Sequence, residues 1–213
     1  MQFRPGDIDP MRFYGYMIGA IVPRPIAFVS TVGPAGNYNL APFSFFTMAS
    51  VDPPIVLFCP IIRGDNEKKD TLKNIEATKE FVLNIVSESF ADGVNKSAAE
   101  VDCDVDEFKL SGLTPVPAKL VKAPRVKESH IHIECRLRDV IHFGNYSLAG
   151  NIVLGDVLLI DIDEAVITET QGLQLIDPDK LKSFGRMAGT AYARTSDRFD
   201  LVRPSSRPHN PKK

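Results

Sequence analysis

The clearest periodic signal in the chain is the strict alternation of apolar and polar side chains over residues 131–138. Ile131, Ile133, Cys135 and Leu137 alternate with His132, Glu134, Arg136 and Arg138. A period of two sends one set to each face of a strand, so the apolar set is expected inside and the polar set in solvent. Stretches rich in β-branched and aromatic residues predict further strands at 26–32, 45–51, 55–59 and 81–86. The turn cluster Gly33-Pro34-Ala35-Gly36-Asn37 joins the first of these to an extended stretch at 38–41, a hairpin pattern. Residues 152–154 and 157–162 read as one long strand with a bulge or bend at Gly155-Asp156.

Helical patterns are fewer and shorter. Asp9-Pro10 is a cap followed by proline at the first helical position, and Met11, Tyr14 and Ile18 continue at helical spacing until Pro23 and Pro25. Asp70 is the expected N-cap of a helix whose faces are set by Leu72, Ile75 and Lys79. Residues 90–99 predict another helix, 106–112 a single capped turn ending on Gly112, and 178–183 a last short one. Many short strands with few helices between them predict a mainly β fold, a closed or nearly closed antiparallel barrel. Strands do not alternate with long helices, which argues against a Rossmann domain.

Composition narrows the class. The chain has 213 residues, 44% hydrophobic and 24% charged, as expected of one globular core. A single domain is expected over 1–203, followed by a disordered tail at 204–213 rich in Pro, Ser, Arg and Lys. The net charge of −2 argues against a large nucleic-acid footprint. The three cysteines, Cys59, Cys103 and Cys135, include no C-x-x-C pair, so reduced thiols are expected, two of them buried in strands, in a cytoplasmic protein. No apolar run reaches the roughly 18 residues of a membrane span, and no signal-peptide core is evident at the N-terminus.

Motifs for hydrolases, P-loop proteins and zincins are absent from the sequence. Asp102, Asp104, Asp106 and Glu107 lack the glycine and terminal glutamate of a calcium loop and read as a solvated loop plus a cap. His130 and His132 fall on one polar strand face beside Glu134 and Arg136. A solvated or interface face is expected there, with metal ligation or a nicotinamide contact as the alternatives. Lys68-Lys69-Asp70-Thr71 sits where a helix begins, so dipole, cation and hydroxyl could hold a phosphate. An ordinary capped helix with exposed lysines explains the same residues. Ser30-Thr31 and the segment 39–44 place hydroxyls and small residues beside a turn, either to admit a ligand to the backbone or simply as a polar turn.

Taken together, three segments resemble the flavin reductase-like family of FMN-binding split barrels. They are Pro23-Arg24-Pro25-Ile26-Ala27-Phe28-Val29-Ser30-Thr31, Asn39-Leu40-Ala41-Pro42-Phe43-Ser44-Phe45-Phe46 and Lys69-Asp70-Thr71-Leu72-Lys73-Asn74-Ile75. The resemblance continues through Asp106-Glu107-Phe108, Leu113-Thr114, Ile133-Glu134-Cys135 and the segment 152–157, spanning about residues 10–195. It implies a Greek-key split barrel that works as a homodimer with flavin sites at the subunit interface. It implies FMN contacts at Arg24, Ser30, Thr31, Asn39, Leu40, Ala41, Ser44 and Phe45, with Lys69, Asp70 and Thr71 at the phosphate and Arg63 as a looser candidate. The segment 184–189 resembles a C-terminal family segment without an assigned contact.

The activity so implied is FMN-dependent oxidoreduction, foremost as an NAD(P)H:flavin reductase serving a small-molecule or protein acceptor such as a flavin-dependent oxygenase. The alternatives are electron transfer from a protein donor, an FMN carrier or sensor without NAD(P)H turnover, and a barrel that has lost flavin for another phosphorylated ligand. No side chain is assigned as catalytic and no metal is expected, because hydride chemistry belongs to the cofactor.

Overall fold

A computed structural model describes residues 1–102, 105–170, 172–202 and 204. Cys103, Asp104 and the expected tail after Pro204 lie outside the described residues. The chain opens with α1 (Pro10–Ala20), whose N-cap Asp9 accepts from Met11 N and Arg12 N, as the sequence pattern predicts. The strands β1 (Ala27–Val32), β2 (Tyr38–Phe43), β3 (Phe46–Ser50) and β4 (Ile55–Phe58) follow. Next come α2 (Asp70–Thr78), β5 (Glu80–Ile85), α3 (Ala91–Lys96) and α4 (Glu107–Ser111). Two short strands, β6 (Pro115–Val116) and β7 (Arg125–Val126), lead to the long hairpin of β8 (Ile131–His142) and β9 (Asn151–Ile162). The chain then forms β10 (Ile167–Thr170), β11 (Leu173–Ile176), α5 (Pro178–Leu181), β12 (Phe184–Arg186) and β13 (Tyr192–Arg194).

Seven strands make one antiparallel sheet in the order β2-β1-β5-β8-β9-β4-β3. The two edge strands, β2 and β3, are joined through Ser44 and Phe45 alone. The three Cα–Cα steps from Phe43 to Phe46 span at most about 11 Å, far less than the width of a flat seven-stranded sheet, so the edges must lie near one another and the sheet must curl into a barrel. Its edges meet without pairing, which leaves the barrel split along a seam. Around this ring β5 returns to lie beside β1 after three successive neighbours, a Greek-key connection.

The barrel is filled by aromatic side chains. Phe43 and Phe58 have ring centroids 5.1 Å apart, and Phe58 and Phe81 5.6 Å apart. Phe58 and Phe81 are fully buried. Gly155 in β9 lets the Phe81 ring pass, since a β-carbon there would lie 2.4 Å from its Cζ atom. The irregularity expected at Gly155-Asp156 is present: the β8–β9 register shifts between Leu137 and Asp139, opposite Gly155 and Leu154, with the extra residue on β8, and a second shift falls between Glu134 and Cys135.

Three expectations are corrected. His132 and Glu134 are not solvated but buried, because the segment around β6 and β7 folds over that face of β8. Glu134 there accepts from Lys119 N at 2.8 Å and Leu120 N at 2.6 Å, and His132 Nε2 meets the Val126 carbonyl at 2.8 Å. The predicted helix at 90–99 is a 3₁₀ turn at Glu88–Phe90 followed by the shorter α3. Of the described cysteines, Cys135 is buried in β8, whereas Cys59 lies half-buried just past β4. The capped turn at Asp106 does form: Asp106 accepts from Phe108 N and Lys109 N, and Gly112 ends the helix at φ 72°. Among the described residues no helix is long and apolar enough to cross a membrane.

Candidate functional site

An open cleft lies where β2 meets the start of α2. Asn39, Ala41, Arg63, Lys69, Asp70 and Thr71 line it, together with Glu107 and the stretch 97–101 after α3. The barrel positions these groups: β2 carries Asn39 and Ala41, and the packing of Leu72 and Ile75 into the core fixes how α2 begins.

Asp70 is the first helical residue, not the N-cap. Lys69 holds the cap position without a side-chain bond, so the N-terminal turn has no carboxylate folded over it. The Asp70 carboxylate is drawn instead to Arg63 Nη1 at 3.9 Å and Lys73 Nζ at 3.7 Å. A helix start without a side-chain cap presents N–H groups and the positive end of the dipole to whatever enters the cleft.

The cations here are loosely engaged. Lys69 Nζ stands 3.5 Å from Glu100 Oε1, and Arg63 Nη2 stands 3.5 Å from Asp65 Oδ2. Arg63 Nε is buried and has no hydrogen-bond partner. A buried guanidinium N–H left unpaired is costly unless a ligand completes it, and an anion with several oxygens would do so. Lys68, by contrast, turns away to Glu76 at 2.7 Å.

The remaining predicted contacts lie outside the cleft lining, and their polar atoms are engaged within the fold. Arg24 is buried and donates from Nη1 to the Ile21 carbonyl at 2.9 Å and from Nη2 to the Met187 carbonyl at 3.0 Å. It thereby ties the end of α1 to the segment after β12. Ser30 is fully buried, donating to the Pro124 carbonyl and accepting from Asn84 Nδ2. Thr31 accepts from Asn74 Nδ2 at 3.0 Å beneath α2, and Leu40 belongs to the core. Ser44 and Phe45 form the half-exposed link at the seam, where Ser44 Oγ accepts from Arg24 Nε at 3.4 Å. His130 lies outside this cleft too, with Nδ1 2.9 Å from Asp163.

Glu107 is the residue that sequence reasoning missed. It was grouped with a solvated acidic run, yet it is 9% exposed and its carboxylate faces Asn39 and Leu40 N. Burial pushes its carboxyl above the usual range, and the nearby Asp70 and Asp106 charges add to this. The signals were the family-like segment Asp106-Glu107-Phe108 and Phe108 itself, whose burial in a single helical turn carries its neighbour partly inward.

Comparison with solved structures places this architecture. A Shewanella frigidimarina protein with a split barrel domain superposes with a TM-score of 0.78 at 23% identity, over 95% of this chain and 99% of that one. A barrel split along its seam is thus the split-barrel fold, and the family match places the chain among flavin reductase-like oxidoreductases. Nitrilotriacetate monooxygenase component B from Bacillus cereus is 32% identical, with a TM-score of 0.87 over 94% of this chain and 98% of that one. The 2-nitrobenzoate 2-nitroreductase NbaA of Pseudomonas fluorescens is 28% identical, with a TM-score of 0.84 over 99% of this chain and 100% of its own. Residues 18–177 match the flavin reductase like domain, and the chain belongs to that family.

Proposed function

We propose that this chain is an FMN-binding flavin reductase whose cleft at the start of α2 receives the FMN phosphate. The observation that carries the reading is the buried, unpartnered Arg63 Nε beside Lys69 and a helix start without a side-chain cap. Thr71 and Asn39 supply hydroxyl and amide groups in the same cleft. Arg63 and Lys69 supply the charge that a phosphate dianion requires. When bound, the flavin would accept a hydride from NAD(P)H and pass the electrons on. The protein's task is to bind, orient and shield it.

The acceptor we infer is an oxygenase component, which the likeness to a monooxygenase's component B supports. The likeness to a nitroreductase supports a second reading, direct transfer to a small molecule. We also propose a homodimer. α1 buries none of its residues within the chain, and Met11, Tyr14, Tyr16 and Met17 all stand exposed along it. Such a stripe of methionine and tyrosine suits an interface between subunits.

Purified protein given FMN and freed of excess should be yellow, and NADH or NADPH should bleach it under anaerobic conditions. A protein that stays colourless rejects the flavin site. A yellow protein that neither nucleotide bleaches rejects the reductase and leaves a carrier or sensor. Lys69→Ala should weaken FMN retention by about three- to tenfold, the worth of one partly exposed charge-assisted contact. Equilibrium dialysis showing unchanged affinity would remove Lys69 from the phosphate site.

A further inference from the structure

We propose that Asn66 is a positioning residue for the flavin phosphate: its side chain ties the turn that carries Arg63 to the tip of the β8–β9 hairpin, and so keeps the guanidinium aimed into the cleft. The proposal rests on the reading of this cleft as a phosphate site.

Arg63 does not hold itself in place. Its guanidinium stands 3.5 Å from Asp65 and 3.9 Å from Asp70, both longer than a good hydrogen bond, and its buried Nε has no partner. Its direction is therefore set by the backbone beneath it. That backbone is a closed turn. Asn66 N donates to the Arg63 carbonyl at 3.1 Å, and Arg63 N donates to the Glu67 carbonyl at 2.9 Å. The pattern is that of a three-residue loop, Gly64-Asp65-Asn66, whose last residue takes the left-handed conformation. Asn66 does so at φ 68°.

Glycine suits such a position best, and asparagine is among the few other residues that tolerate it. Asparagine adds what glycine cannot. Asn66 Oδ1 accepts from Ser147 N at 2.6 Å, across a separation of 81 residues. Ser147 lies in the loop 143–150 that joins β8 to β9. The same loop grips the chain just before the turn. Ile62 N donates to the Ala149 carbonyl at 2.9 Å, and Leu148 N donates to the Ile62 carbonyl at 3.2 Å. Asn151, fully buried at the start of β9, donates to the Pro60 carbonyl from N at 3.0 Å and from Nδ2 at 3.1 Å.

The chain is thus paired to the barrel as far as Ile62, and Asn66 carries that attachment across to the far side of the turn. The other tie on that side, Glu67 to Lys73 at 3.1 Å, joins two exposed side chains and fixes little. A cation held in place before the ligand arrives spares binding the cost of ordering a long side chain. Cutting the tie restores that cost, and only a ligand that uses Arg63 bears it.

The test is Asn66→Gly, which keeps the left-handed backbone and removes only the tie. Flavin fluorescence titrations of the full-length apoprotein would compare wild type, Asn66→Gly, Arg63→Ala and the double variant. FMN is one probe, and riboflavin, which lacks the phosphate, is the other. Asn66→Gly should bind FMN about three- to tenfold more weakly, the worth of immobilising one long side chain, with riboflavin affinity held within about twofold. Riboflavin binding also reports that the variant is folded. In the Arg63→Ala background the same change should have no further effect on FMN, because Asn66 acts only through Arg63. Unchanged FMN affinity in Asn66→Gly overturns the proposal. A parallel loss of riboflavin affinity, or an equal FMN loss with Arg63 already removed, also overturns it and makes Asn66 a residue of the fold alone. In each of these cases the phosphate site stands as long as wild type prefers FMN to riboflavin. Wild type that binds the two equally overturns the phosphate site, and the positioning role with it.

Discussion

Replacing Phe81 by Ala should destabilise the fold by about 3–5 kcal/mol, the cost of removing a fully buried aromatic ring. The ring packs edge-on against Phe58 and fills the space that Gly155 leaves open. The neighbouring change Gly155→Ala places a methyl group 2.4 Å from the same ring and should cost about 1–3 kcal/mol by overpacking. Because both act on one volume, they should not add. With the ring gone the new methyl meets only the milder contact with Cys135 Cβ at 3.3 Å, so the double variant should be only slightly less stable than Phe81→Ala alone. Chemical denaturation of the four proteins measures this coupling. Strict additivity would show that Phe81 and Gly155 do not share that space.

Arg63→Ala should weaken FMN binding by about 10- to 100-fold, equivalent to about 1.5–3 kcal/mol for charge-assisted hydrogen bonds at a partly buried site. The side chain is 22% exposed and its Nε has no partner within the protein, so little internal bonding is lost on removal. Riboflavin affinity should change far less than FMN affinity, because the loss falls on the phosphate. Flavin fluorescence titrations with both ligands separate the cases. A parallel loss for riboflavin would mean that Arg63 shapes the cleft without meeting the phosphate. Arg63→Lys should recover only part of the affinity, since an ammonium lacks the planar fork.

Local signals in the sequence carried much of the fold. Asp9-Pro10 and Asp106 cap helices where the residue pattern places caps, and the alternation over 131–138 is a strand. Which face of that strand is covered was not legible. The cover comes from residues around β6 and β7, and nothing in the alternation records that Glu134 accepts from Lys119 N and Leu120 N. Asp70 looked like a cap because aspartate at a helix start usually is one. Here the pull of Arg63 and Lys73 competes with capping; the Lys73 pair has a helical i,i+3 spacing, whereas the Arg63 pair comes from the loop before the helix and has none.

At the site, Lys69, Thr71 and Asn39 were legible only when three segments were taken together, and the structure gathers them with Arg63 into one cleft. Arg24 and Ser30 lie in equally suggestive motifs, yet their polar atoms are bound within the fold. A motif can mark a fold as strongly as it marks a ligand. Glu107 is the reverse case: it lies in a family-like segment, reads as part of a solvated acidic run, and is buried beside Leu40 N.

The link of Ser44 and Phe45 has a kinetic consequence. The β1–β2 and β3–β4 hairpins can form as soon as they leave the ribosome, and the link holds them side by side. Neither has its other neighbour yet, for Ala27 must wait for Ile85, and Ile55 for Asp156 about a hundred residues later. The nascent barrel therefore passes through a stage with its two hairpins joined and their outer edges bare. Folding dominated by such distant pairings falls in the slow, millisecond-to-second range, and it is then, rather than in the finished barrel, that the chain is most open to mispairing with its copies.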